Sequence, residues 1–303
     1  MIYPDYKNNI VNIAGSIEKY FDLKSEVSSL GEIDEVLNTY KPKNVVVILF
    51  DGMGYNLINE KLPNSFLVNN MVKRITSTCP ATTTSATTSI MTGKYPCTHG
   101  YLGWDMYYKK ENVFVTMFTN KYKDSDDEYP FNISEKYFSY KTITDRILEN
   151  GKYHSKIVFP IKYEETYKDI DEMLSMIKSN LNIKEKNYIY AYYMDPDSML
   201  HNKGNNSKEV LSILKMINDK CEKFANEIKD TLLIITADHG NDPTFKGNDH
   251  TRENVPIIMY CRNFKTPHRL EPQETLACIG ATIADNFDLE PPEIGTSLLD
   301  NFD

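Results

Sequence analysis

The chain has 303 residues, 41% of them apolar and 25% charged, a globular composition that excludes disordered and fibrous chains. Thirty-four Lys and Arg against 43 Asp and Glu leave a net charge of −9. That excludes a nucleic-acid polymer as partner, because phosphate neutralisation needs a basic surface, while a local basic pocket for one small phosphate stays open. Five cysteines, at 79, 97, 221, 261 and 278, show no CxxC spacing, so neither a disulfide framework nor a zinc finger is expected and a reduced cytoplasm fits. The opening MIYPDYKNNI has no basic-then-apolar leader pattern, and no apolar run approaches the ~18 residues of a membrane span, so no membrane partner is expected. The N-x-S matches at Asn132 and Asn205 carry no weight without a secretion signal.

In chain order, NVVVILF (44–50) is an apolar run that suits a strand buried on both faces. A hydroxyl-rich segment, STCPATTTSATTSIMTG (77–93), follows and reads as a helix beginning after Pro80 and ending at Gly93. VFVTMF (113–118) is a strand candidate inside a polar, aromatic stretch, 105–140, with DSDDEYP at 124–130. A helix at 144–150 stops at Gly151, and strand candidates follow at 156–159 and 188–194. Over 207–229, Val210, Ile213, Leu214, Ile217, Cys221, Phe224 and Ile228 share one helical face behind an N-cap at Ser207. Strand candidates LLIITA (232–237) and VPIIMY (255–260) come next, and Pro272 opens a helical segment over 273–286. The alternation predicts an α/β fold, a doubly wound and mostly parallel sheet with helices on both faces. One catalytic domain over 1–303 is expected, with a substrate-lid insertion around 101–140.

In an open parallel sheet, ligands bind beyond the carboxyl ends of the strands. Three apolar runs end in carboxylates: 44–50 runs into Asp51, 188–194 into Asp195 and Asp197, and 232–237 into Asp238 and His239. If those strands are parallel, the side chains gather on one rim. The Asp51-Gly52-Met53-Gly54 turn is not a dinucleotide fingerprint, since the third glycine would fall at Leu57. Asp197 and His201 are four apart, so on one helical turn they can grip a metal. Gly240 lets the backbone bend behind Asp238 and His239. His250, in the loop DPTFKGNDHTREN, reaches the same rim, whereas His99, His154 and His268 read as turn, packing or surface residues.

Within 77–93 the plain reading is a hydroxyl-capped helix; the functional one is a hydroxyl nucleophile where helix amides receive a phosphate. A threonine hydroxyl needs activation, and with no Ser-His dyad close in sequence a metal would supply it. Spacing alone leaves Thr82, Thr83, Thr84 and Ser85 as equal candidates.

The blocks VVVILFDGMG, PATTTSATTSIMTG with YPCTHG after it, MDPDSMLH and TADHG together resemble the alkaline phosphatase superfamily, in particular its type I phosphodiesterase/nucleotide pyrophosphatase branch. The block from Ala237 to Tyr260 resembles instead that of phosphopentomutases in the same superfamily. The resemblance implies two divalent ions, Zn²⁺ first and Mn²⁺ as the alternative. It assigns one to Asp51, Thr83, Asp238 and His239, and the other to Asp197, His201 and His250, with Thr83 as nucleophile and Asp195 as an acidic non-ligand. Two departures stand out. The phosphodiesterase pattern has Asn three residues after the nucleophile, where this chain has Ala86. The stretch between His99 and Asp197 is also too short for a full mutase cap. The sulfatase pattern Cys-x-Pro-x-Arg is absent at Cys79-Pro80.

The expected function is therefore a two-metal phosphoester hydrolase acting through a covalent phospho-threonine on a small phosphorylated substrate. The alternatives on the same core are a phosphatase, a phosphomutase or a phosphonate hydrolase; of another class, a non-catalytic metal-binding relative. Thr84, Tyr101, Trp104 and Arg252 are the expected substrate contacts. Tyr107 and Tyr108 are further aromatic candidates, and Lys246 is a further cationic one. Specificity is expected to reside in 101–150, where loops rather than the metal core shape the pocket.

Overall fold

The computed structural model describes residues 2–160, 166–241, 250–252, 254–262 and 273–299. The cationic candidate Lys246 and His268, read as a packing or surface residue, lie outside them. Two compact units divide the chain, residues 1–264 and 265–303.

The first unit opens with helices α1 (Val11–Tyr20) and α2 (Gly31–Tyr40) and strand β1 (Asn44–Phe50). Then come α3 (Tyr55–Lys61), α4 (Phe66–Asn69), β2 (Met71–Thr76), α5 (Thr83–Thr92) and α6 (Pro96–His99). A small antiparallel sheet of β3 (Asp105–Tyr108), β4 (Val113–Thr116) and β5 (Lys121–Tyr122) follows. After it come α7 (Ile133–Tyr137), α8 (Ile143–Asn150), β6 (His154–Val158), α9 (Ile170–Ser179) and β7 (Asn187–Tyr193). The unit continues through α10 (Asp197–Lys203), α11 (Lys208–Glu227), β8 (Thr231–Thr236) and β9 (Asn254–Tyr260). The second unit holds α12 (Ala277–Asn286).

The central sheet has six strands in the order β2-β9-β8-β1-β7-β6. β8, β1, β7 and β6 pair in parallel, and β9 is antiparallel to both β8 and β2. Every residue of β1 and of β8 is buried. Because alternate strand residues point to opposite faces, both faces of the sheet are covered. α1, α5 and α8 pack on one another, and α11 gathers α3, α4, α9 and α10. The edge strand β2 carries half-exposed Lys73 and exposed Arg74 among its apolar residues.

Local chemistry sets the helix ends. The Ser207 side chain accepts a hydrogen bond from Val210 N at the start of α11. Gly93 and Gly151 take left-handed conformations that end α5 and α8. α12 starts at Ala277, so the expectation of a helix from 273 is corrected: the Thr275 hydroxyl accepts from Ala277 N at 3.2 Å, holding the preceding residues in a turn. The small sheet has its own core of Tyr101, Tyr108, Val115, Met117 and Ile133. His99 is buried, accepts from Tyr101 N at Nδ1 (3.1 Å) and so donates from Nε2 to Ser89 Oγ (2.9 Å). Burial pushes its pKa down to about 4, keeping the ring neutral. His154 Nε2 lies 3.1 Å from Asn180 Oδ1.

Candidate metal centre

β8, β1 and β7 are adjacent and parallel, so the residues that follow them meet at one edge. Asp51 N donates to Tyr193 O (2.9 Å) and Asp197 N to Asp51 O (3.1 Å), which joins the ends of β1 and β7. The Asp238 carboxylate accepts from Gly52 N and from His239 N, both at 3.0 Å, joining β8 to β1. β2 runs parallel to β8, since both are antiparallel to β9; the Ser77 hydroxyl just beyond β2 donates to Asp238 O. The antiparallel β9 begins at this edge, and Thr251 N donates to Gly240 O at 3.1 Å, bringing His250 back against His239. Their rings stack with centroids 3.7 Å apart.

Gly52 makes the close approach possible. Its φ is +69°, and a Cβ there would stand 2.9 Å from Asp197 Oδ1 and 3.0 Å from Asp197 Cβ. Gly52→Ala is expected to cost about 1–2 kcal/mol from the left-handed conformation alone and to displace Asp197. A melting temperature and metal affinity equal to wild type would contradict this.

Two clusters of ligand atoms result. Those of Asp51, Asp238 and His239 lie within 4.8 Å of one another, as do those of Asp197, His239 and His250. One imidazole nitrogen cannot serve two ions, so His239 belongs to only one cluster. His239 Nε2 is 3.0 Å from Asp51 Oδ1 and 3.7 Å from Asp238 Oδ2. His201 Nε2 completes the other cluster, 3.2 Å from Asp197 Oδ2 and 3.1 Å from His250 Nε2; His250 Nε2 is 3.7 Å from Asp197 Oδ2. Asp238 Oδ2 and Asp197 Oδ1 are buried without a hydrogen-bond partner among the described residues. Buried carboxylate oxygens left bare beside imidazoles fit a divalent cation, which supplies the missing positive charge.

The electrostatics of the protein groups agree. Burial, and then the Asp238 carboxylate, push Asp51 up to about 7. Burial opposes the charge on His239, but Asp238 and the hydrogen-bonded Asp51 outweigh it and push the ring up to about 10. Burial also pulls Asp197 upward, yet His250 and the other imidazoles hold it below its ordinary value. Asp195, half-buried, is raised by burial and by Asp51 and Asp197.

Thr83 opens α5, and its Oγ1 lies 3.4 and 3.3 Å from the two Asp51 oxygens and 3.4 Å from His239 Nε2. The hydroxyls of Thr82, Thr84 and Ser85 are buried without a hydrogen-bond partner among the described residues. Of the expected substrate contacts, Thr84 is fully buried and Tyr101 sits in the small sheet's core, edge-on to His99. Trp104 is 48% exposed against Phe118. Tyr107 is exposed and Tyr108 is buried with Tyr101. Arg252 is exposed and lines a shallow cavity with Tyr3, Thr76, Thr78 and Ala81. Sequence reasoning missed Tyr192, whose hydroxyl donates to Asp51 Oδ2; an aromatic within a strand reads as core.

Known proteins of similar fold and sequence give the chain its family. The chain is similar to solved structures of ectonucleotide pyrophosphatase/phosphodiesterase 5 from mouse (19% identity, TM-score 0.52, 65% of this chain and 57% of that one) and human (20%, 0.52, 65% and 56%). It is also similar to an inactive threonine-to-alanine variant of the murine protein in complex with AMP (18%, 0.52, 65% and 56%). It thus spans less than two thirds of the length of these structures, and the likeness shows the shared fold. The type I phosphodiesterase / nucleotide pyrophosphatase family model matches residues 45–258, from the start of β1 into β9 and across every residue of both clusters, and the chain belongs to that family.

Proposed function

We propose that the chain is a two-metal-dependent hydrolase of phosphoric esters that acts through a covalent phospho-threonine at Thr83. The observation that carries this reading is the place of Thr83 Oγ1, at the first residue of α5 and within 3.4 Å of both Asp51 oxygens and His239 Nε2. Asp51, Asp238 and His239 with Thr83 would hold one ion, and Asp197, His201 and His250 the other, Zn²⁺ first and Mn²⁺ as the alternative. Bound there, the cations would lower the pKa of the threonine hydroxyl and of a water and offset charge on the phosphoryl oxygens.

Thr83 Oγ attacks phosphorus, the Oγ–P bond forms and the bond to the leaving oxygen breaks. The first amides of α5 have no acceptor within the helix, so they can hold the phosphoryl oxygens as charge builds. Water then attacks the phospho-threonine, phosphate or phosphomonoester leaves, and the hydroxyl of Thr83 regains its proton. The substrate we infer is a small phosphorylated molecule of nucleotide type, in keeping with the AMP bound by the murine neighbour. We place its recognition on the β3-β4-β5 sheet, including half-exposed Trp104, as a lid over 101–140. Ala86 is fully buried in α5 and offers no polar contact there, which favours a monoester as the second reading.

Among the described residues no helix is long and apolar enough to cross a membrane. The five cysteines form no disulfide among the described residues, which suits a reducing compartment such as the cytoplasm.

The test is an assay of protein reconstituted with Zn²⁺ or Mn²⁺ on p-nitrophenyl phosphate and on bis-p-nitrophenyl phosphate, beside metal analysis. Two equivalents and turnover of the diester support the leading reading. Turnover of the monoester alone selects the second, and fewer than one bound equivalent rejects both. Asp197→Ala and Asp238→Ala are each expected to lose one equivalent, from different clusters. Loss of the same equivalent in both variants would merge the clusters into one site.

A further inference from the structure

Tyr192 lies against the candidate centre but has no part in the binding or turnover derived above. On β7 it pairs in register with Leu49 of β1. Asp51 comes two residues after Leu49, where the strand alternation returns to the same face. From there the Tyr192 hydroxyl donates to Asp51 Oδ2.

Two contacts hold Tyr192 in place, one on its ring and one on its backbone. The ring is 4% exposed and stacks on Phe159, with centroids 4.5 Å apart and planes 16° from parallel. The Tyr192 carbonyl accepts a hydrogen bond from the buried Tyr167 hydroxyl. Asp51 is held on its other side too, because Oδ1 is 3.0 Å from His239 Nε2.

A carboxylate turns about its Cβ–Cγ bond, and the two Asp51 oxygens offer a cation different directions. A donor held on Oδ2 fixes the plane, so Oδ1 stays aimed at the space shared with His239 and Thr83. A ligand oriented by a hydrogen bond from outside the coordination sphere binds metal more tightly and in one geometry.

We propose that Tyr192 is a positioning residue, whose hydroxyl sets the orientation of the Asp51 carboxylate toward the cation beside Thr83. This rests on the two-metal reading above. A pure packing role would need only the aromatic ring, whereas the positioning role needs the oxygen.

Tyr192→Phe separates the two, since it keeps the ring and its stack on Phe159 and removes only the hydroxyl. By chelator competition with Zn²⁺, the weaker-binding variant is expected to lose about ten- to a hundredfold in affinity for one of the two equivalents. In Co²⁺-substituted protein the visible absorption of that equivalent is expected to shift. Turnover is expected to fall through kcat with KM nearly unchanged.

Unchanged affinity and an unchanged Co²⁺ spectrum would overturn the proposal. So would a variant that fails to fold, because the hydroxyl would then act on stability. Wild-type protein that binds no second equivalent would instead defeat the two-metal reading, a result visible before any variant is made.

Discussion

Replacing Thr83 by alanine is expected to lower turnover by on the order of 10⁴-fold or more while both metal equivalents stay bound. On the two-metal reading the hydroxyl would be one ligand among four on its ion, and Asp51, Asp238 and His239 would remain after its loss. The methyl of alanine fills most of the space, so the buried start of α5 is expected to keep its shape. Neighbouring hydroxyls cannot take over: successive helical residues point about 100° apart, and among the described residues none of Thr82, Thr84 or Ser85 has a hydrogen-bond partner near the clusters. Thr83→Ser keeps the nucleophile and should stay within about tenfold of wild type, the alkoxide chemistry being the same. Acid-quenched wild type should gain the mass of a phosphoryl group with a monoester substrate, or of the phosphoryl group with its retained ester with a diester, and Thr83→Ala should gain neither. Near-wild-type turnover in the alanine variant would require water to attack directly, and the phospho-threonine would be lost from the mechanism.

The clustering of carboxylates and imidazoles at one sheet edge is the most legible part of this chain because it depends on two readable properties. The runs 44–50, 188–194 and 232–237 are apolar on both faces, and each matches its observed strand to within one residue at either end. Each is followed directly by carboxylate or imidazole side chains. Parallel pairing then converts three separate sequence positions into one edge. What the sequence hid falls into three physical kinds. Strand direction leaves no trace in apolar periodicity, so nothing in 255–260 marked β9 as antiparallel. Edge strands alternate too weakly: MVKRIT carries Lys73 and Arg74 because β2 has a neighbour on one side only. The choice among four hydroxyls turned on the rotation of α5 about its axis, fixed by tertiary contacts at both of its ends. Family resemblance implies Thr83, and its hydroxyl is the one of the four within 3.4 Å of Asp51 and His239, which supports that reading.

The far end of α5 rests on an ion pair between buried Glu18 and half-buried Arg146, and Arg146→Ala, which strands the buried carboxylate, is expected to destabilise the protein by about 3–5 kcal/mol at pH 7. The Glu18 side chain, on α1, is 1% exposed, and its Oε1 accepts from Arg146 Nη2 of α8. The same nitrogen donates to Thr92 O at 3.0 Å, the last carbonyl of α5, where a cation also suits the helix dipole. Gly93 follows with φ +66°, and a Cβ there would collide with the Glu18 carboxylate, so the three helices close around this pair. Burial already holds Glu18 above its ordinary pKa, with Arg146 opposing the rise. Removing Arg146 removes that opposition and raises the folded-state pKa further. An acid whose folded pKa exceeds its unfolded one stabilises the fold below the unfolded pKa, near 4.3, and loses that contribution as pH rises through the folded value. The gap between wild type and Arg146→Ala in urea denaturation should therefore narrow from pH 7 toward pH 4.5. Glu18→Gln, which removes the stranded charge, should recover part of the loss at pH 7 when added to Arg146→Ala. A loss below about 1 kcal/mol, typical of an exposed pair, or a gap that widens toward low pH, would show that this pair does not anchor the helix that carries Thr83.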